Sequence, residues 1–220
     1  MSAASAIEIF PIVRGLARTA HAKDSSTFEH GCRMIHCSAV LGEALGLDAA
    51  GIGALRIGAM LHDMGKCTIP DAVLFKPGRL DAAEIRLMNR HASSGHDLLS
   101  GLGHPWLDNA AAIALYHHER HDGGGYPRGL AGPEIPLHAR IVAVADVYDA
   151  LRTDRPYKTG MDHETALDII TRGDTRTRPE HFDPAILAAF TARAEEIRQI
   201  YSMPDAMLAS PWEDLLGTLH

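Results

Sequence analysis

The chain has 220 residues, 46% hydrophobic and 22% charged, with a formal net charge of −7, an ordinary globular balance with enough length for one good core. The acidic excess argues against binding a nucleic acid polymer, which depends on neutralising many phosphates with Lys and Arg. No apolar run approaches the ~20 residues of a membrane span, and the start MSAASAIEIFPIVRG lacks the basic opening and apolar stretch of a signal peptide, so a cytoplasmic protein without membrane insertion is expected.

In chain order the signals are helical. Residues 1–23 read as a helical lead-in. Phe28, Cys32, Ile35, Ala39 and Leu45 recur at roughly helical spacing, and Gly46 is a stop before Asp48, which caps the next helix. That pair is expected to be antiparallel. The second helix, Asp48 to His62, places Ile52, Leu55, Ala59 and Met60 on one side and fades around Gly65, leaving His62 and Asp63 at its end. Asp81 with Glu84 forms a capping box for a helix running past His91 towards Leu99; whether His91 faces inward depends on phase alone. Further helices are expected at about Trp106 to His118, Leu137 to Thr153, Asp162 to Thr171, and Asp183 to Tyr201, where Asp183-Pro184 makes a cap and first-turn pair. An all-α bundle follows. Long loops rich in Gly and Pro, Ile69 to Arg79 and Asp122 to Pro136, are where function is expected. The terminal SMPDAMLASPWEDLLGTLH carries Trp212, Leu215 and Leu216 and reads as a packing segment.

The chemistry-bearing residues are histidines and aspartates. His62-Asp63 and His117-His118 are adjacent pairs near helix ends, about 100° apart around a helix, so each pair approaches a metal from neighbouring directions. The Asp63 carboxylate is suited to bridging two ions. Asp146 lies in the apolar run IVAVADVYDAL, where an unpaired carboxylate is costly and something positive should neutralise it. Imidazole and carboxylate without thiolate suit iron, manganese, nickel or zinc and disfavour a purely structural zinc. Cys32, Cys37 and Cys67 lack CxxC spacing and read as buried free thiols. The other histidines, among them His21, His36, His96, His104, His121, His138, His163, His181 and His220, read as surface or packing residues. Glu119, Arg120 and Asp122 read as ion pairs that hold the glycine-rich loop.

A lone His-Asp dipeptide arises by chance; the ordered set carries the signal. His62-Asp63-Met64-Gly65-Lys66, KPGRL with Glu84 and His91, then HHERHDGGGYPRGLAGPEIP, then ADVYDAL with RPYK resembles the HD-GYP phosphodiesterases of the HD superfamily. The resemblance covers about Asp24 to Asp183. It implies an HD-domain-like helical bundle with a metal centre in its core and a long GYP loop, with residues 24–200 as the catalytic domain and 201–220 as a C-terminal extension. It implies that His30, His62, Asp63 and Asp146 hold one divalent metal, and that Asp63 bridges to a second held by His91, His117 and His118. Asp24 and Thr27 fit the pattern before the first histidine. Relatives with a Glu four residues before it hold a third ion; Ser26 stands there, so two ions are expected, iron or manganese before zinc or nickel. Phosphate contacts are expected from Lys66, Tyr126, Arg155 and Lys158, with Asp149 behind the ligands. Asp63 and Lys66 are the expected catalytic pair.

The implied reaction is hydrolysis of cyclic-di-GMP to linear pGpG by metal-activated water, with the second cut, to GMP, left open. The rivals are an HD hydrolase for another nucleotide or a mixed cyclic dinucleotide, and a low-turnover cyclic-di-GMP sensor. The expected partners are the cyclic dinucleotide, a regulatory protein at the GYP loop and a second copy of the chain. Too few residues precede the matched region for a folded input domain, so regulation is expected from outside this stretch.

Overall fold

The computed structural model describes residues 3–154, 159–204 and 208, with residues 3–8 and 25–28 described by backbone alone. Its helices are α1 (Ala3–Lys23), α2 (Ser25–Ala44), α3 (Ala49–Leu61), α4 (Asp71–Leu74), α5 (Ala82–Leu99), α6 (Pro105–Tyr116), α7 (Leu137–Arg152), α8 (His163–Arg172), α9 (Pro184–Ala192) and α10 (Ala194–Ile200). Single 3-10 turns lie at Met64–Thr68, Gly132–Glu134 and Pro179–His181. The described residues form no strand, and the architecture is the all-α bundle expected. No helix among them is long and apolar enough to cross a membrane.

Helix ends follow the capping chemistry written in the chain. Between α2 and α3, Gly46 takes φ +77°, and Leu47 N–H returns to the Gly42 carbonyl at 3.0 Å, a closure open to glycine at low cost. Asp48 then accepts the Gly51 amide at 2.7 Å. Asp81 accepts the amides of Ala83 and Glu84 at 2.7 and 2.9 Å, while the Glu84 carboxylate accepts Asp81 N–H at 2.8 Å. His104 supplies a cap the sequence reading missed, its ring accepting Trp106 N–H at 3.1 Å.

Two apolar clusters form the interior. One gathers Met34, Leu41, Leu55, Ile113, Val142 and Tyr148 with α8, α9 and α10. The other gathers Ile9 and Val13 of α1 with Ile35, Ile57, Leu61, Leu107 and Ala114. Helices α2, α3 and α6 serve both, so α3 is buried from Ile52 to Leu61 except at Arg56, as expected of a helix apolar all round. Close packing there needs small residues. A Cβ on Gly58 of α3 meets Ile113 Cδ1 of α6 at 2.2 Å, and one on Gly65 meets the His91 carbonyl of α5 at 1.9 Å. The His62–Gly65 corner therefore lies directly against α5.

Two expectations are corrected. The Ile69 to Arg79 loop contains the short helix α4. The single helix expected from Asp183 to Tyr201 breaks at Arg193 (φ −108°, ψ 13°). No proline or glycine marks the break; Thr191 bonds back to the Leu187 carbonyl at 2.9 Å, a contact that loosens and bends helices. The gain is tertiary, because Ile197 and Ile200 of α10 turn into the cluster that holds Cys37 and Leu41 of α2.

Candidate metal centre

Five helices bring the expected residues to one place. His30 comes from α2, His62 and Asp63 follow α3, His91 sits inside α5, His117 and His118 follow α6, and Asp146 lies on α7. His91 faces inward, 2% exposed, against His62 at 1%, Asp63 at 5% and His117 at 2%. Asp63 stands between two sets of imidazoles. Its Oδ2 is 3.5 Å from His62 Nε2 and 4.0 Å from His30 Nε2, while its Oδ1 is 3.5 Å from His91 Nε2 and 4.0 Å from His117 Nε2. Asp146 Oδ1 lies 3.5 Å from His30 Nε2. Donor atoms of His30, His62 and Asp63 converge within 4.8 Å of one another, as do those of His91, His117 and His118.

Hydrogen bonds on the far side of each ring fix the tautomers. Nδ1 of His62, His91 and His117 points at the carbonyls of Ala59, Met88 and Ala114 at 2.7, 2.8 and 2.9 Å. A carbonyl only accepts, so Nδ1 carries the hydrogen and Nε2 presents a bare lone pair. Burial pushes the pKa of His62, His91 and His118 down and that of His117 down to about 4, which keeps the rings neutral near pH 7. Yet His91 Nε2 lies 3.4 Å from His117 Nε2 and 3.1 Å from His118 Nε2. The His91 and His117 lone pairs, aimed at one another in a buried site, call for a shared cation, and this donor set fits a divalent metal. Neither set includes a cysteine.

Asp63 and His30 are poised differently. Burial pulls the Asp63 pKa upward, but Lys66 first and then His62, His91 and His117 outweigh it and hold the carboxylate well below its usual range. Lys66 Nζ donates to Asp63 Oδ2 and is about a third exposed, at the mouth of the cluster. Burial likewise opposes charge on His30; Asp149, then Asp146 and Asp63, prevail and raise its pKa. Asp149 receives His30 Nδ1 at 2.7 Å, Arg33 Nε at 2.6 Å and the Tyr201 hydroxyl at 2.9 Å. Arg33 and Tyr201 were missed by sequence reasoning. The Arg33 signal was present, one helical turn after His30 on the same face; Tyr201, first residue of the stretch read as an extension, gave none.

The glycine-rich loop folds back on its own root. Tyr126 stacks on His118 with ring centroids 4.7 Å apart at 27°, and Tyr126 N–H donates to the His118 carbonyl at 3.2 Å. A Cβ on Gly125 would meet backbone atoms of His118, Glu119 and Arg120 at 2.4–2.6 Å, so glycine is what admits this approach. The Tyr126–Pro127 peptide is cis. Arg120 pairs with Asp122, its Nε at 3.0 Å, as expected. Glu119 is a correction: buried, it accepts the backbone amides of Arg128, Gly129 and Leu130 at 2.6, 3.1 and 3.1 Å, because three adjacent amides at a turn form a nest for one carboxylate. Cys67 is a second correction, half-buried at the edge of α1, while Cys32 and Cys37 are buried free thiols. Arg155, Lys158, Trp212, Leu215 and Leu216, and the side chains of Ser26, Thr27 and Phe28, lie outside the described residues.

A helical bundle with a His-Asp pair closing one helix and converging imidazoles from its neighbours defines an HD-domain protein. Residues 15–186 match the HD domain family, and the chain belongs to it; divalent metal binding goes with that family, and the His/Asp cluster fits it. The chain is 42% identical over 196 residues to the cyclic di-GMP phosphodiesterase response regulator RpfG of Xanthomonas campestris, covering 89% of this chain and 51% of that protein. It is 34% identical over 195 residues to 3'3'-cGAMP-specific phosphodiesterase 2 of Vibrio cholerae, covering 88% and 37%. The chain thus spans about half the length of the curated relatives it matches first. Among solved structures, Bd1817, a HDG"Y"P protein from Bdellovibrio bacteriovorus, superposes with a TM-score of 0.59 over 80% of this chain and 53% of that one, at 20% identity, a likeness of fold.

Proposed function

We propose that this domain is a cyclic-di-GMP phosphodiesterase that opens one 3′,5′-phosphodiester to give linear pGpG. The observation that carries the reading is Asp63, one buried carboxylate whose two oxygens face different imidazole sets. In this reading His30, His62, Asp63 and Asp146 hold one divalent ion, and Asp63, His91, His117 and His118 hold the other. Iron or manganese suits nitrogen and oxygen donors without thiolate. When bound, such a pair supplies a water of lowered pKa and positive charge for the phosphoryl oxygens.

The chain's own groups do the rest. Lys66, reaching solvent at the cluster mouth, offers a point charge to the phosphoryl group as negative charge grows there. Burial pushes the Tyr126 hydroxyl pKa up, so it stays protonated and donates a hydrogen bond to a phosphate oxygen. Its ring, stacked on His118, fixes where that bond points. Asp149 holds the His30 ring from behind. Arg155 and Lys158 remain the further proposed phosphate contacts. The name of the 42% identical relative supports cyclic-di-GMP as substrate; that of the 34% identical one favours a second reading, a mixed cyclic dinucleotide.

The test is anaerobic incubation of purified chain with Fe²⁺ or Mn²⁺ and cyclic-di-GMP or 3'3'-cGAMP, followed by chromatography. Faster conversion of cyclic-di-GMP to pGpG is expected. Preference for the mixed substrate supports the second reading, and no hydrolysis of either by metal-loaded protein overturns both.

A further inference from the structure

We infer that Tyr201 is a positioning residue of the metal centre: its hydroxyl fixes Asp149, and through Asp149 it aims the His30 imidazole. This rests on the reading of His30 as a metal ligand. It extends that reading to a residue outside the stretch, 15–186, that matches the family.

The geometry is a relay of hydrogen bonds. Asp149 Oδ2 receives His30 Nδ1 at 2.7 Å, and Oδ1 receives Arg33 Nε at 2.6 Å and the Tyr201 hydroxyl at 2.9 Å. Arg33 Nη2 also reaches Oδ2 at 3.4 Å, so the carboxylate is braced at both oxygens, and the Tyr201 bond to Oδ1 adds a second direction that opposes its rotation away from His30. His30 Nε2 is thereby kept towards His62 Nε2, 3.1 Å away, and Asp146. The Tyr201 hydroxyl is a reliable donor because burial holds its pKa well above the usual phenol value. Its ring is fixed as well. Arg33 and Arg152 lie over it at 5.8 and 5.1 Å from the centroid, and Tyr148 meets it edge-on at 5.1 Å. The break at Arg193 lets α10 turn against α2, so Tyr201 at the end of α10 arrives beside Arg33. Asp149 has the place that outer partners of metal-binding histidines occupy, and the phenol, one hydrogen bond further out in a built pocket, holds that partner.

The experiment compares zinc binding to chelator-stripped full-length wild type, Tyr201→Phe and Tyr148→Phe by titration calorimetry, with melting temperatures alongside. Tyr148→Phe is the structural control, since it keeps the ring that meets Tyr201 and loses a buried hydroxyl bond to His163 at 2.7 Å, but none to Asp149. Removing an outer partner itself weakens metal affinity by about 10- to 100-fold; Tyr201 acts through that partner, so a loss at the low end, about 10-fold, is expected. The expected result is that loss in Tyr201→Phe alone, with both variants melting alike. Unchanged zinc affinity in Tyr201→Phe, or equal weakening in Tyr148→Phe, overturns the inference. A wild type that takes up no zinc overturns the ligand reading itself and this inference with it.

Discussion

Asp63 places one oxygen towards His62 and the other towards His91, each at 3.5 Å. Asp63→Ala removes both contacts at once, and the expected outcome is loss of hydrolysis with a fall in metal content measured by elemental analysis. Normal activity with unchanged metal content contradicts the bridge. Tyr126→Phe separates substrate contact from metal binding: it should slow turnover of cyclic-di-GMP while leaving metal content as in the wild type, and lost metal places Tyr126 in the wrong role. Sequence alone brought the ligand candidates into view because the ordered set of motifs, rather than any single dipeptide, resembles one family's pattern. The same resemblance placed Asp149 behind the ligands, but not the groups that hold Asp149. The Arg33 and Tyr201 bonds to Asp149 span 116 and 52 residues, and no local spacing encodes such pairings.

Helix boundaries were legible where an aspartate closes the first turn. Asp48, Asp81 with Glu84, Asp162 and Asp183 each accept an amide of the helix that follows, which satisfies donors otherwise left bare. The break at Arg193 was not legible, because it answers to the core cluster on α2 and no residue there forbids continuation. Gly65 joins local conformation to the site. Its missing Cβ lets the turn after His62-Asp63 rest on the His91 carbonyl, where an added carbon would come to 1.9 Å and meet Gly95 N at 2.5 Å. These are backbone atoms, so Gly65→Ala must push the turn away from α5. A stability loss on the order of 1–3 kcal/mol is expected by urea titration, with metal content falling in step; wild-type stability and metal content rule this packing argument out.

Across the molecule the histidines give folding a common response to acid. Burial pushes down the pKa of His36, His62, His91, His117, His118, His138, His163 and His181. A histidine whose pKa is lower folded than unfolded contributes stability that is whole above about 6.5. That contribution drains away as pH falls through the folded value, about 4 for His117. His30, raised by Asp149 against its burial, has the opposite sign: its share is whole below about 6.5 and is lost as pH rises through the folded value. One opposing group does not offset the rest. Chelator-stripped protein should therefore show a lower urea midpoint at pH 5 than at pH 7.5, and an equal or higher midpoint at pH 5 contradicts the sign.

The converging side chains come from α2, α3, α5, α6 and α7, elements far apart in the chain and adjacent only when folded. Two ions held there, with Asp63 common to both sets, would join all five, and the unfolded chain has no such site to offer. By mass action, free ion at 100 times its dissociation constant adds about 2.7 kcal/mol to folding. The melting temperature of a preparation is thus also a gauge of how fully it is loaded, and two batches of identical sequence will differ in stability by their history of exposure to metal and chelator.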